Sequence, residues 1–208
     1  MKWITAADID NWTIREPRKA QESIPLLIWK LILASCDTIN DHHFPFGKAI
    51  QYSGYDGFLD TDDTSPFFPS GESVWEIGTN ENALDKFNND YEKRIKEPNG
   101  VDQANTVFCF VSSRIWNHRK SITEITEEKS RDAVWKAIRI IDASSLELWL
   151  DACPSVKLWF SGIMGVPNDG VQDTYAFWND TVNQTCLQLT PEFFLQRDHL
   201  LLQIYNPV

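Results

Sequence analysis

The chain has 208 residues and a formal net charge of −11. That length suits one α/β domain with a sizeable core, or one domain plus an appendage, and the acidic balance argues against a protein that coats nucleic acid non-specifically. No run of about eighteen apolar residues occurs, so no membrane span is expected. Asp8 and Asp10 interrupt the N-terminus before a secretory h-region can form. The widely spaced Cys36, Cys109, Cys153 and Cys186 form no Cys-x-x-Cys pair, and read as reduced, buried thiols of a cytoplasmic protein.

In chain order, Ala6 to Trp12 predicts a short amphipathic helix with Thr5 as its N-cap. Arg18 to Ala34 places Ile24, Leu27, Ile28, Leu31 and Ile32 on one helical face, and Pro25 inside that pattern predicts a start or a kink. The polar run Asp37 to His43 ends this helix. Residues 44–61 read as two short extended segments broken by Gly54 and Gly57, and 62–72 as a loop rich in Asp, Ser and Pro. Ser73 to Gly78 predicts a strand. A helix follows from Asn82 to Glu97, capped by Asn80 or Thr79, with Leu84, Phe87, Tyr91 and Ile95 at helical spacing. Thr106 to Val111 is continuously apolar and predicts a strand covered on both faces.

A charged helical connector, Ser121 to Ala133, leads to a strand over Trp135 to Asp142. Ser144 or Ser145 then caps a helix from Leu146 to Cys153, and another helix follows Pro154. Strands alternating with helices imply an α/β sandwich with partly parallel pairing. The first domain is expected over residues 1–165. Residues 166–208 read as a polar linker and a helical connector toward a downstream domain of a longer protein.

Two acids stand out. Asp56 follows a tight glycine turn, Gly54-Tyr55-Asp56-Gly57, and Glu76 lies among Val74, Trp75 and Ile77. Carboxylates avoid buried strands unless a cation satisfies them, and a divalent metal held by both acids suits phosphodiester hydrolysis. A lysine two residues after the second acid would share its face of the strand and orient the attacking water. That position is Gly78, so Lys86, in the first turn of the following helix, is the nearest candidate.

Lys93 and Arg94, two turns further on, suit contact with a DNA backbone. Arg114, His118, Arg119 and Lys120 beside Trp116 form a basic cluster that suits the same contact, or a solvated loop. Glu22 is either an auxiliary metal ligand or a solvated first-turn Glu favoured by the helix dipole. His42-His43 has no third ligand at metal spacing and reads as an exposed turn, and Asp60, Asp62 and Asp63 read as solvated loop acids. Residues 1–85 hold six Lys and Arg against fourteen Asp and Glu, and residues 86–140 hold eleven against eight. An acidic metal-binding half beside a mildly basic half suits an enzyme that meets a polyanion through a metal, and equally suits a solvated surface without such a role, which charge alone favours.

The placement of Asp56 after a glycine turn and Glu76 on the next strand resembles the PD-(D/E)XK restriction-endonuclease-like superfamily. The wider pattern adds Pro69-Ser70-Gly71-Glu72-Ser73 before Glu76, then Lys86 and Asp90-Tyr91-Glu92-Lys93-Arg94. With Phe110-Val111-Ser112-Ser113-Arg114-Ile115-Trp116, Val134-Trp135-Lys136, Ile141-Asp142-Ala143 and Leu146-Glu147-Leu148-Trp149-Leu150, it is similar to the N-terminal nuclease effector of bacterial anti-phage STAND NTPases over most of residues 15–165.

The resemblance implies a restriction-endonuclease-like central mixed sheet flanked by helices. It implies a cytoplasmic endonuclease that hydrolyses double-stranded DNA with Mg²⁺, or Mn²⁺ in its place. Asp56, Glu76 and Lys86 would be catalytic, with metal on Asp56 and Glu76 and auxiliary help from Glu22. It further implies that downstream NTPase and sensor domains of the same polypeptide hold the nuclease inactive until a homo-oligomer assembles. This chain carries no phosphate-binding Gly-x-x-x-x-Gly-Lys loop of its own. The rival reading is a non-catalytic adaptor or oligomerisation module that keeps such a fold, favoured by the acidic charge and by Gly78.

Overall fold

Thr5 opens the first helix as its sequence predicts. The computed structural model describes residues 4–45, 54–166 and 177–178 of the chain. At the start of α1 (Ala6–Arg15) the Thr5 hydroxyl oxygen accepts from the Asp8 N–H, and the Asp8 carboxylate accepts from the Thr5 N–H at 2.9 Å. This capping box satisfies donors that the first turn otherwise leaves unpaired. The second helix, α2, begins at Pro17, where a missing N–H costs nothing, and runs to Ser35. It therefore neither starts at Pro25 nor stops there. An interior proline costs about 3 kcal/mol, but the stripe of Ile24, Leu27, Ile28, Leu31 and Ile32 around it is fully buried. At about 1.5–3 kcal/mol per buried side chain, that stripe outweighs the proline.

The polar run after α2 holds a strand that its residues do not announce. β1 (Ile39–His43) is exposed along most of its length and forms one edge of the sheet. β2 (Gly57–Thr61) and β3 (Gly71–Gly78) follow it as an antiparallel meander. Crossover helix α3 (Ala83–Lys96) then leads to β4 (Val107–Ser112), parallel to β3. α4 (Ile122–Ser130) leads to β5 (Ala137–Ile141), parallel to β4. α5 (Ala143–Ala152) and α6 (Pro154–Met164) complete a five-stranded mixed sheet in the order β1-β2-β3-β4-β5, flanked by six helices among the described residues. The α/β class and the mixed sheet agree with the sequence reading.

Two caps differ from expectation. Asn82, not Thr79 or Asn80, caps α3, and Asp142, not Ser144 or Ser145, caps α5. The helices start where the strand ahead of them releases the chain, and in each case a polar residue stands at that point.

The alternation of β4 divides the core. Phe108 and Phe110 face Phe87, Tyr91, Ile125 and Trp135 on the side of α3 and α4. Val107, Cys109 and Val111 face a larger cluster that includes Trp12, Leu27, Trp149 and Phe160 from α1, α2, α5 and α6. All six residues of β4 are buried, as a strand covered on both faces requires. Because β2 runs against β3, the start of β2 and the ends of β3, β4 and β5 share one end of the sheet. The candidate chemistry gathers there.

The chain divides into compact units Met1–Asn168 and Asp169–Val208. Of the second, Phe177 and Trp178 are described, as helical residues with exposed side chains. The expected linker beyond Val166 and the rest of the expected helical connector lie outside the described residues.

Candidate active site

The register of one hairpin brings the two acids together. β2 and β3 pair Phe58 with Val74 and Gly57 with Trp75. One step further places Asp56 opposite Glu76, and opposite residues of antiparallel strands project from the same face. That face is the one from which Val74 meets α3. Asp56 is fixed there by its Oδ2, which accepts from the Ile77 N–H at 2.8 Å. Gly57 is required beside it. A Cβ at that position would lie inside the contact radius of the Phe44 ring, which packs edge-on against Trp75.

α3 supplies the cations. Lys86, Asp90 and Arg94 are spaced four residues apart and form one stripe along the helix. The Lys86 ammonium donates to Asp90 Oδ1 at 2.7 Å. Its stem crosses the space above Gly78, where an added Cβ would stand 2.9 Å from Lys86 Cγ and 3.3 Å from the Phe110 ring. The glycine thus leaves room for a lysine that arrives from the helix instead of from the strand. Arg94 donates through Nε to Glu76 Oε1 and through Nη2 to the Gly54 carbonyl oxygen. Its guanidinium lies over the Tyr55 ring at 4.3 Å. It therefore ties α3 both to the middle acid of β3 and to the turn that presents Asp56.

Burial sets the protonation of these groups. Glu76 is 4 % exposed. Its dry surroundings, and next the Asp56 carboxylate, push it up to about 7, against the pull of the Arg94 guanidinium. Burial also raises Asp56, while the Ile77 N–H, Lys86 and Arg94 pull it back. Asp90 acts as a like charge on both of them. Its own Oδ2 is buried without a hydrogen-bond partner. Three carboxylates thus share two cationic side chains, and one buried carboxylate oxygen is left over.

This all-oxygen donor set suits a hard divalent cation such as Mg²⁺ or Mn²⁺. Among the described residues no three His, Cys, Asp or Glu side chains are gathered as a metal group. Mg²⁺ does not need three, since it commonly takes one or two carboxylates and completes its shell with water and substrate phosphate. Asp56 and Glu76 are the pair whose oxygens could hold such an ion, and the neighbouring Asp90 Oδ2 is buried without a hydrogen-bond partner. Arg94 is the internal cation that a metal at Glu76 would meet.

The other residues singled out by sequence are placed elsewhere. Glu22 lies exposed on α2, paired with Arg18 at 3.2 Å, and makes no contact with Asp56 or Glu76. Arg94 is corrected from the DNA-facing set. It is 3 % exposed and consumed by Glu76 and Gly54, because its place on the stripe turns it inward, whereas neighbouring Lys93 is exposed. Arg114 is half-buried and paired with Asp10 of α1. Lys120 pairs with Glu128 of α4, and Arg119 is exposed. These three follow β4, at the sheet end that carries Asp56 and Glu76. His42 is stacked on Trp29 at 4.4 Å within β1, not in a turn.

The sequence gives Asp90 no role of its own, although its spacing from Lys86 and Arg94 carries the signal. His118, which the sequence groups with the basic cluster after β4, instead accepts the Leu84 N–H at 3.3 Å through Nε2 and so pins the first turn of α3. No family model, no curated protein and no solved structure matches the chain.

Proposed function

We propose that this chain is a metal-dependent endonuclease domain acting on double-stranded DNA, the effector part of a defence protein that works once assembled. One observation carries the reading: Asp56, just ahead of β2, is held by the Ile77 N–H where the β2–β3 register continues opposite Glu76, and the Lys86 stem crosses the space that Gly78 leaves open. Mg²⁺ bound there would lower the pKa of a water and neutralise charge on the scissile phosphate.

The protein's own groups do the rest. The Ile77 N–H holds Asp56 in one orientation. Lys86 offers an ammonium to the attacking water or to a phosphate oxygen, where charge develops. Arg94 fixes Glu76 relative to the Gly54 turn. Lys93 and Arg119, both exposed, are free to meet a DNA backbone, and Lys120 can exchange Glu128 for a phosphate.

Plasmid DNA incubated with the full-length, activated protein tests this. Nicking with Mg²⁺ that stops with EDTA and is lost in Asp56→Ala supports it. Absence of metal-dependent cleavage, or full cleavage by Asp56→Ala, sinks it. The second reading, a non-catalytic adaptor with this fold, is favoured by the Arg94–Glu76 pair, since a buried acid that already has a cation can be purely structural.

A further inference from the structure

We propose that Asp90 is the positioning residue for Lys86, holding its ammonium at the far end of a stem that crosses Gly78, on the side of the Asp56 carboxylate. This rests on the nuclease reading for its purpose but on geometry for its substance. A surface lysine ordinarily lays its stem along apolar surface and keeps its ammonium in water. Lys86 packs its Cγ into the space above Gly78 in that way, but its Nζ is held 2.7 Å from Oδ1 of the buried Asp90. Asp90 is itself 7 % exposed. Its neighbours on the helix surface, Phe87 and Tyr91, belong to the aromatic cluster against β4.

Stability gives no reason for an acid there. A buried carboxylate with one unpartnered oxygen is unfavourable, and an apolar side chain of similar volume would extend the cluster. What the acid does achieve is a fixed acceptor one helical turn behind the lysine. Arg94, one turn further on, is taken by Glu76 and Gly54, so it does not compete with Lys86 for Asp90. Ordering the ammonium in advance removes the cost of immobilising a long side chain during the reaction.

Two variants of the full-length protein separate positioning from simple structure. Asp90→Asn keeps an acceptor oxygen for Lys86, and Asp90→Leu removes it while filling the volume. Lys86 is then labelled with an amine-acylating ester and quantified by peptide mapping, with exposed Lys93 as the internal reference. Labelling of Lys86 should rise several-fold in Asp90→Leu and stay near the original level in Asp90→Asn, with Lys93 unchanged. In Mg²⁺-dependent nicking, Asp90→Leu should lose at least tenfold in kcat with KM for DNA unchanged, and Asp90→Asn should recover part of the loss. Unchanged Lys86 labelling or unchanged kcat in Asp90→Leu overturns the proposal. If the unaltered protein does not nick DNA, the nuclease reading fails while the labelling still decides the role of Asp90. Should Asp90→Leu fail to fold, Asp90→Ser is measured in the same way with the same outcomes.

Discussion

Replacing Glu76 with Gln should make the protein more stable at pH 8 while abolishing its proposed activity. Burial holds the Glu76 carboxyl up to about 7 from an ordinary 4.5. Between those values the folded state keeps a proton that the unfolded state has released, so stability falls as pH rises through that window. At about 1.4 kcal/mol per pH unit the ceiling on this loss is about 3.5 kcal/mol, reached above pH 7. Glutamine imitates the protonated acid and still offers Arg94 an acceptor oxygen. The two proteins should therefore be equally stable near pH 4.5, with the variant ahead by about 2–3 kcal/mol at pH 8. Urea unfolding at half-unit steps of pH measures this, and with a slope of about 1–3 kcal/mol per molar the midpoints separate by about 1 M or more. A gap that stays flat from pH 5 to pH 8 would refute the reasoning. So would a variant less stable at pH 8. Either result would mean that Arg94 keeps Glu76 ionised throughout.

Arg94→Met should cost more stability at pH 8 than at pH 5, because without its cation Glu76 keeps its proton at a pH where the original protein ionises it; one unit above 7 that difference is about 1.4 kcal/mol, and urea midpoints at the two pH values show whether it appears. Gly78→Ala should cost about 1–3 kcal/mol, since the new methyl presses on Lys86 Cγ and the buried Phe110 ring. In a Lys86→Ala background that cost should fall by at least about 0.5 kcal/mol, and strict additivity in the double-mutant cycle would contradict the close approach. Lys86→Met should cost about 1–3 kcal/mol, because the buried Asp90 then loses the partner of its Oδ1 while the Lys86 side chain itself is 30 % exposed. It should nonetheless reduce Mg²⁺-dependent nicking about 100-fold or more, and nicking at the unaltered rate would remove Lys86 from the mechanism.

The parts of the fold legible in the sequence are those whose burial is uniform. β4 is apolar at every position because both of its faces are covered, and α2 shows its stripe because one face meets the core. β1 was illegible for the converse reason. An edge strand keeps its side chains in water, so Asn40, Asp41, His42 and His43 carry no alternation to detect. The end of α2 was readable from polarity, but the strand that begins four residues later was not. At Pro25 a local rule was overridden by burial at long range, which no short window of sequence contains.

The site divides along the same line. Asp56 and Glu76 were each conspicuous, one beside glycines and the other among apolar residues, but what makes them a pair is the β2–β3 register. That register depends on how the hairpin connection closes, not on either acid. The charged run Asp90-Tyr91-Glu92-Lys93-Arg94 misled in a more instructive way. By composition it is a solvated helix face suited to DNA. Its phase says otherwise: Tyr91 and Phe87 are buried, so Asp90 and Arg94, flanking Tyr91 on the helix surface, turn inward while Glu92 and Lys93 turn out. The same phase accounts for Gly78. With β3 lacking a lysine at the position that shares the face of Glu76, the cations described at this site, Lys86 and Arg94, come from α3, and the packing of Phe87 and Tyr91 against Phe108 and Phe110 sets where they stand. The chemistry of the strand acids is thereby coupled to the seating of one helix, and the contacts that hold its two ends, His118 at Leu84 and Arg94 at Gly54, belong to the site as much as the acids do.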